Sequence, residues 1–186
     1  MKKIWVDGET TGLEPGAHAL IQLAGIIEID GEVVEEFDYQ LRPLKGQMIN
    51  PKALAVSGVT LEEITAYRDS HVSYVEFLGL LEKYIDRFDK SDKFLWIGQN
   101  PRFDYGFVEA LFNRHENPYL YSFISYHLID IASIAMALKD AKRIELKSLK
   151  LESIAETFDV QFEPHNALED ARACRKIYLK MLSYFS

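Results

Sequence analysis

The chain has 186 residues, of which 48% are apolar, and this is enough for one domain with its own hydrophobic core. Its net charge of −8 argues against binding along a long stretch of duplex DNA through basic residues. It does not exclude binding of short strand ends, which need few contacts. No apolar run approaches the roughly 20 residues of a membrane span, and a single cysteine excludes an internal disulfide. We therefore expect a soluble, cytoplasmic protein with no membrane partner and with residues 1–186 in a single domain.

The first forty residues predict three strands. Residues 3–7 are expected to form a short buried strand, and Gly12 and Pro15 mark the turn that follows it. Residues 20–29 and 33–41 flank Asp30-Gly31, a dipeptide that favours a tight hairpin.

The middle of the chain predicts a helix, a strand and a second helix. Apolar residues recur at helical spacing over 72–88 and predict the buried face of a helix there: Val72, Val75, Leu78, Leu81, Ile85 and Phe88. Residues 94–97 predict another buried strand. A helix from Pro101 to about Arg114 should follow it, with Asn100 as its cap and Pro101 in its first turn.

The last third predicts a strand and two helices. Residues 126–129 are expected to form a strand, and Asp130 should then cap a helix over 131–138. The final helix begins at Asn166, where Glu169 completes a capping box. A hairpin followed by strand–helix units indicates an α/β protein with a mixed sheet flanked by helices.

Four carboxylates lie near the ends of three apolar elements. Asp7 and Glu9 close the apolar run of residues 4–6 and are two residues apart, which places them on one face of an extended chain. Asp104 and Asp170 each share a helix face with apolar residues, so their side chains should point towards the core. An unpaired buried carboxylate is costly, and a divalent cation is a natural partner for several of them. Each acid alone is also explained as a cap or a solvated strand end, but the repetition favours a shared metal site.

The ligand types indicate which metal and which chemistry to expect. Oxygen ligands without clustered Cys or His favour Mg²⁺ or Mn²⁺ over zinc. Two such ions about 3.5–4 Å apart can hold an attacking water and a leaving oxygen in line on phosphorus, so phosphoryl chemistry is expected. His165, five residues before Asp170, is the candidate general base. In isolation, however, a surface-loop histidine is the simpler interpretation.

One stretch of the acidic chain is locally basic. Two interpretations stay open for it: a solvated helical face, which explains it at least as well, and a track for phosphates. The basic residues are Lys139, Lys142, Arg143, Lys147 and Lys150.

Three segments, in order, resemble the motifs of the DEDDh family of 3′→5′ exonucleases. They are residues 7–13 (DGETTGL), 99–104 (QNPRFD) and 165–170 (HNALED). Residues 50–60 also resemble a segment of the proofreading exonuclease subunit of bacterial DNA polymerase III. The resemblance covers nearly the whole chain and implies an RNase H-like fold with a five-stranded mixed sheet, in a single exonuclease domain.

The resemblance also implies roles for the acids and the histidine. Asp7, Glu9 and Asp170 would bind a first metal ion, and Asp7 would also hold a second. Asp104 would support the metal site, partly through water, and His165 would be the general base.

A further set of residues would contact the substrate by the same resemblance. Thr10, Thr11 and Leu13 would hold the terminal nucleotide, Phe103 would meet a base, and Asn100 would contact the strand. Simpler explanations exist for each of them: a turn after a strand for the first three, core packing for Phe103, and helix capping for Asn100.

Two positions depart from the family pattern. Gln99 stands where a histidine is common, and Ser57 stands where the polymerase subunit often has one. Because the chain ends soon after its final helix, we expect a stand-alone nuclease, or one that a polymerase or repair partner recruits by another route.

The leading expectation is an enzyme that uses two Mg²⁺ or Mn²⁺ ions to release nucleoside 5′-monophosphates from 3′ ends, with single-stranded DNA as the first substrate. An RNA-trimming exonuclease of the oligoribonuclease or RNase T kind is the alternative substrate class. A non-catalytic nucleic-acid-binding module and a di-metal phosphatase remain as other hypotheses, although the complete acid set argues against a binding module.

Overall fold

The computed structural model describes residues 1–185, which form a five-stranded mixed sheet with helices on both faces. The strands are β1 (Lys2–Thr10), β2 (Leu20–Ile29), β3 (Glu32–Gln40), β4 (Phe94–Gly98) and β5 (Ile124–Asp130). The helices are α1 (Pro51–Ser57), α2 (Leu61–Ala66), α3 (Ser70–Tyr84), α4 (Pro101–Arg114), α5 (Ile131–Asp140), α6 (Leu151–Thr157) and α7 (Ala167–Leu182). The spatial strand order is β3-β2-β1-β4-β5. β1 pairs antiparallel with β2 and parallel with β4, which confirms the predicted RNase H-like mixed sheet.

Strand β1 lies at the centre of the sheet, and its alternate side chains pack into two hydrophobic cores, one on each face of the sheet. Ile4 packs into the apolar cluster that contains the buried faces of α3 and α4. Trp5 packs into the cluster that contains those of α5, α6 and α7. Because side chains alternate along a strand, Asp7 and Glu9 continue the α7 side, whereas Gly8 continues the α4 side.

The predicted β2–β3 hairpin is confirmed. Ile29 pairs with Glu32 across a two-residue turn. Asp30 and Gly31 both have positive φ, 52° and 93°. This is the left-handed backbone that a tight hairpin turn requires, and Asp-Gly adopts it at little cost.

The predicted helix over 72–88 is wrong at its end. The Asp69 carboxylate caps α3 by accepting a hydrogen bond from the His71 N–H at 2.9 Å, and the helix ends at Tyr84. Beyond it, the Asp92 carboxylate accepts from the Asp86 N–H at 2.9 Å, which turns the chain towards β4. Phe88 is left 87% exposed.

The buried face of α3 also differs from the predicted one. Leu81 is buried as predicted, but Val72 and Val75 are 42% and 50% exposed. Tyr74 and Phe77 are buried instead. The aromatic stripe carries more apolar area than the two valines, so burying it stabilises the helix more.

The predicted cap of α4 is wrong, although Pro101 does lie in its first turn. Asn100 has a left-handed backbone (φ 49°) and its side chain makes no capping hydrogen bond. An N-cap residue normally has an extended backbone, so this conformation removes the cap geometry. The Asn100 N–H instead donates to Asp130 Oδ1 at 2.9 Å. Asp130 caps α5 as predicted, accepting from the Ala132 N–H at 3.0 Å.

Helix α7 has half of the predicted capping box. Asn166 Oδ1 accepts from the Glu169 N–H at 3.2 Å. The Glu169 carboxylate, however, pairs with Arg172 Nη1 at 2.5 Å. A charged partner one turn along the helix binds the carboxylate more strongly than a backbone N–H does.

Three short helices, α1, α2 and α6, were not predicted from the sequence. Each has six or seven residues, too few for a helical period to stand out from the surrounding chain. Among residues 1–185, no helix combines the length and the hydropathy that crossing a membrane requires.

Candidate active site

Three carboxylates from two elements meet at the carboxyl end of β1. Asp7 and Glu9 lie on the last residues of the strand, and Asp170 lies in the first turn of α7. One oxygen of each lies within 4.8 Å of the others. Helix α7 packs across β1 and β2 because Cys174 and Ile177, one and two turns after Asp170, are buried against the sheet. Packing of this apolar stripe therefore carries Asp170 to the other two acids.

The site is electrostatically unfavourable in the absence of a cation. Burial is the main reason that the pKa of Asp7 lies well above its usual value, and the charges of Asp104, Asp170 and Glu9 raise it further. Burial, followed by the charge of Glu9, raises the pKa of Asp170 to about 7, although a backbone hydrogen bond from His165 offsets part of the rise. These shifts have the sign expected for acids that lack a positive partner.

The three grouped carboxylates have the properties of a metal-binding site. Within residues 1–185, Asp170 Oδ1 is buried and accepts no hydrogen bond. Such an orphaned acceptor is costly unless a cation or a water takes the lone pair. The three grouped carboxylates offer oxygen ligands only, as hard divalent cations prefer.

Asp104 lies beside this group rather than within it. It comes from α4, on the opposite side of the sheet, and it is 5% exposed. Burial raises its pKa to about 8, while hydrogen bonds from its own backbone and from that of Gly8 act in the other direction. A Cβ on Gly8 would lie 2.9 Å from the Leu20 side chain and 3.4 Å from Asp104 Oδ1, so a larger residue there would crowd Leu20 next to Asp104. Direct metal ligation by Asp104 stays a prediction.

The sequence did not predict that Ser57 contacts a site carboxylate. Ser57, the last residue of α1, donates its hydroxyl hydrogen to Glu9 Oε2 at 2.5 Å. This contact holds one Glu9 oxygen and leaves the other available to a ligand. The only hint in the sequence was the resemblance of residues 50–60, where the related subunit often has a histidine.

Two clefts flank the carboxylates. The Glu9 cleft encloses about 410 Å³, within the range of small-molecule sites. Of the predicted substrate residues, Thr10, Leu13 and Phe103 line it. The Leu13 side chain is 79% exposed, and Phe103 packs on Phe107 with ring centroids 5.0 Å apart.

Two other predicted substrate residues do not line the Glu9 cleft. Thr11 is fully buried; its hydroxyl donates to the Met48 carbonyl at 2.7 Å and accepts from the Ala19 N–H at 2.8 Å. Its side chain therefore ties two loops together, and its substrate role stays a prediction. Asn100 turns the chain into α4, and its substrate role stays a prediction.

The second cleft contains the predicted general base and is called the His165 cleft here. It encloses about 180 Å³. Its lining residues include Asp7, Asp170, His165, Gln99 and Lys150. His165 is exposed and has a left-handed backbone (φ 68°), a strained conformation that often marks a functional residue. The histidine and two of the acids therefore face the same space.

Cys174 lies beneath this site and is excluded as a nucleophile. It is 1% exposed. Burial, and then the charges of Asp7 and Asp170, hold the pKa of its thiol well above the usual value. The thiol therefore stays neutral and fills space under the acids.

Comparison with known proteins agrees with this geometry. A family model for exonucleases of the RNase T type matches residues 4–178. The chain belongs to the RNase T exonuclease family. The resemblance to DEDDh-type, RNase H-like exonucleases is thereby confirmed.

Relatives of this exonuclease chain include much longer polymerases. It is 27% identical over 183 residues to the DNA polymerase III PolC-type of Thermotoga petrophila, which covers 95% of the chain and 12% of that relative. It is 31% identical over 172 residues to the PolC-type polymerase of Streptococcus pneumoniae, which covers 92% of the chain and 10% of that relative. The chain thus spans about a tenth of the length of these relatives.

Solved structures share the fold at lower identity. Escherichia coli Exonuclease I in complex with a dT13 oligonucleotide superimposes with a TM-score of 0.79 at 19% identity. The match covers 97% of this chain and 40% of Exonuclease I. A zinc-bound complex of the same enzyme with single-stranded DNA matches with a TM-score of 0.80 at 18% identity. At this identity, the likeness establishes the fold alone.

Proposed function

We propose that this chain is a metal-dependent 3′→5′ exonuclease domain that acts on single-stranded DNA and releases nucleoside 5′-monophosphates. The proposal rests on one observation above all. Asp7, Glu9 and Asp170 bring carboxylate oxygens within 4.8 Å of one another, and one Asp170 oxygen has no hydrogen-bond partner in the described chain. A phosphodiester can be cleaved here only if positive charge is supplied to this cluster.

Asp7, Glu9 and Asp170 would hold two Mg²⁺ or Mn²⁺ ions, with Asp104 supporting the cluster from the Gly8 side. When bound, the ions would supply the positive charge that stabilises phosphodiester cleavage. Ser57 orients Glu9 through its 2.5 Å hydrogen bond. The acids thereby keep a fixed geometry, which limits the reorganisation that the reaction needs.

His165 would accept the proton of the attacking water. Its imidazole borders the same cleft as Asp7 and Asp170, and a histidine can exchange a proton near neutral pH. The terminal nucleoside would occupy the Glu9 cleft, between Thr10, Leu13 and Phe103. In this proposal, the scissile phosphate would lie at the carboxylates, between the two clefts.

DNA is the proposed substrate because the relatives are DNA polymerases. A solved neighbour with the same fold binds a dT13 oligonucleotide. We propose that the chain is a single exonuclease domain that acts on 3′ ends in the cytoplasm. Because the relatives are polymerases, the proposed partner is a polymerase or another replication or repair protein.

A labelling experiment tests this proposal. Single-stranded DNA and RNA oligomers, each labelled at the 3′ or the 5′ end, are incubated with the protein in Mn²⁺, in Mg²⁺ and in EDTA. We expect the 3′ label to leave DNA first as a mononucleotide, the 5′-labelled strand to shorten stepwise, and EDTA to stop both.

Other outcomes identify the alternatives. Degradation of RNA alone would replace DNA with RNA as the substrate. Faster turnover of a chromogenic phosphomonoester than of a diester would indicate a phosphatase. Strand binding without cleavage in either metal would indicate a binding module.

A further inference from the structure

The basic residues between Lys139 and Lys150 differ in what their charged groups contact. Lys139 donates to the Leu146 carbonyl at 2.8 Å, and Arg143 lies over the ring of Tyr184. Lys147 pairs with Glu156 at 2.8 Å on the surface. These contacts make the greater part of the stretch a solvated face, which was one of the two open interpretations.

Lys150 is placed differently from these residues. It lines the His165 cleft together with Asp7 and Asp170. It is exposed, and within residues 1–185 its ammonium group has neither a hydrogen bond nor an ion pair. Glu152 borders the same cleft without pairing with it. Lys150 is therefore an unneutralised positive charge beside the acids.

The backbone around Lys150 is anchored to the sheet at the site. Gln99, which follows β4, donates its side-chain amide hydrogen to the Leu149 carbonyl at 2.7 Å. The Lys150 carbonyl accepts the first hydrogen bond of α6, from the Ile154 N–H at 3.0 Å. Hydrogen bonds to the carbonyls of Leu149 and Lys150 thus hold the backbone of Lys150 at the wall of the cleft. No contact of this kind holds its ammonium group within residues 1–185. The hydrogen bond to Leu149 gives Gln99, one of the two departures from the family pattern, a positioning role.

We propose that Lys150 binds the phosphate group of the strand end, from the His165 side of the carboxylates. The inference rests on the proposed function and deepens it. The lining of the small His165 cleft combines Lys150, Gln99 and His165 with three acids and three apolar residues, and Lys150 is its one lysine within the described chain. The Glu9 cleft is larger, and Leu13, Val56 and Phe103 in its lining suit it to a base and a sugar. A lysine ammonium acts as a point charge on phosphate oxygens and needs no fixed angle, so a flexible side chain on an anchored backbone is sufficient.

The test compares ligands with and without the phosphate. Thymidine 5′-monophosphate and thymidine are titrated calorimetrically, in Mn²⁺, into the wild type, Lys150→Met, Lys150→Arg and Lys147→Met. Lys147→Met is the matched control, because it removes the same charge three residues away, where Glu156 already pairs with it.

Lys150→Met should weaken binding of the monophosphate by about tenfold, as expected for one hydrogen bond to a charged group. Thymidine binding should not change, Lys150→Arg should recover most of the loss, and Lys147→Met should match the wild type. For an oligomer, the salt dependence of binding should fall by about 0.7 in the slope of log K against log salt.

The inference is overturned if Lys150→Met binds the monophosphate as the wild type does, or if Lys147→Met loses as much. A parallel loss of thymidine binding would also overturn it, because that outcome indicates a deformed cleft. Since binding is measured without turnover, a protein that degrades no oligomer but binds the monophosphate through Lys150 would refute the proposed exonuclease alone.

Discussion

Glu28 on β2 and Asp170 in the first turn of α7 are both buried acids where α7 packs on the sheet, but only Glu28 is paired with cations of the chain itself. Glu28 is fully buried, and each of its oxygens is paired, with Lys3 Nζ at 2.7 Å and with Arg175 Nε at 2.7 Å. Burial alone would raise the pKa of Glu28, yet the hydrogen bonds from Lys3 and Arg175 lower it below the usual value. The pKa of Asp170 is instead raised to about 7.

The difference shows that a buried carboxylate is neutralised by the chain's own cations in one place and left without a partner in the other. A buried acid paired on both oxygens is satisfied, and removing its charge leaves two cations without a partner. A buried acid without a partner stores unfavourable energy that an external cation can release. Substitutions at Glu28 and at the site acids should therefore have opposite effects on stability.

Asp170→Asn should lower the rate of DNA degradation by at least about 10³-fold, because it removes a charge that the metal site needs. In EDTA, the same variant should unfold at a higher temperature than the wild type, since like charges are relieved. Glu169→Gln is the control: it lies one residue earlier, but its carboxylate pairs with Arg172. If Asp170→Asn stayed active, or lost stability without metal, Asp170 would be a structural acid like Glu28.

His165→Ala should slow degradation by about 10²–10⁴-fold, the usual contribution of a general base. The rise in melting temperature that Mn²⁺ gives should persist, because the imidazole is not among the grouped ligands. His127→Ala, on the exposed edge strand β5, should behave like the wild type. Loss of the Mn²⁺ effect in His165→Ala would place the histidine among the metal ligands.

Glu28→Gln should lower the free energy of unfolding by about 2–4 kcal/mol in urea, because Lys3 and Arg175 lose their shared partner. Activity per folded molecule at 25 °C should be unchanged. Glu35→Gln is the control and should cost much less, since Glu35 pairs with the exposed Lys83. An equal loss in both variants would mean that burial adds nothing to the Glu28 pairs.

The melting temperature of the metal-free protein should fall as pH rises from 5 to 8. The folded pKa values of Asp170 and Asp104, about 7 and about 8, lie above the value of about 3.9 for an unfolded Asp. The folded state therefore holds protons that the unfolded state has released, and their contribution to stability is lost as pH rises through this window. Glu28 has the opposite sign: it stabilises above the unfolded value and loses this effect only as pH falls through its lowered pKa.

Differential scanning fluorimetry in EDTA, at one-unit steps of pH, measures this slope. Asp170→Asn should flatten it. Mn²⁺ at about 100 times its dissociation constant should add about 2.7 kcal/mol of stability at pH 8. A wild-type melting temperature that rises between pH 5 and pH 8 without metal would contradict the raised pKa values.

The amino-acid sequence by itself determined the sheet and the identity of the acids. Apolar runs, the Asp30-Gly31 turn and the order of the three motifs are local features, and they predicted the five strands, the β2–β3 hairpin and the family. The same local rules failed on α3, where two apolar stripes competed for the core. They also failed on Asn100, which has a left-handed backbone and donates its N–H to Asp130.

Only the tertiary structure decided which residues meet. It placed Asp104 beside the three grouped carboxylates, buried the Thr11 side chain between two loops, and gave Lys150 and Lys147 different surroundings. It also brought Ser57 to Glu9 and two cations to Glu28. The physical reason is that side-chain periodicity is set within a few residues along the chain. The separation between residues as distant as Asp7 and Asp170 instead depends on how α7 packs on the sheet, and no local pattern carries that information.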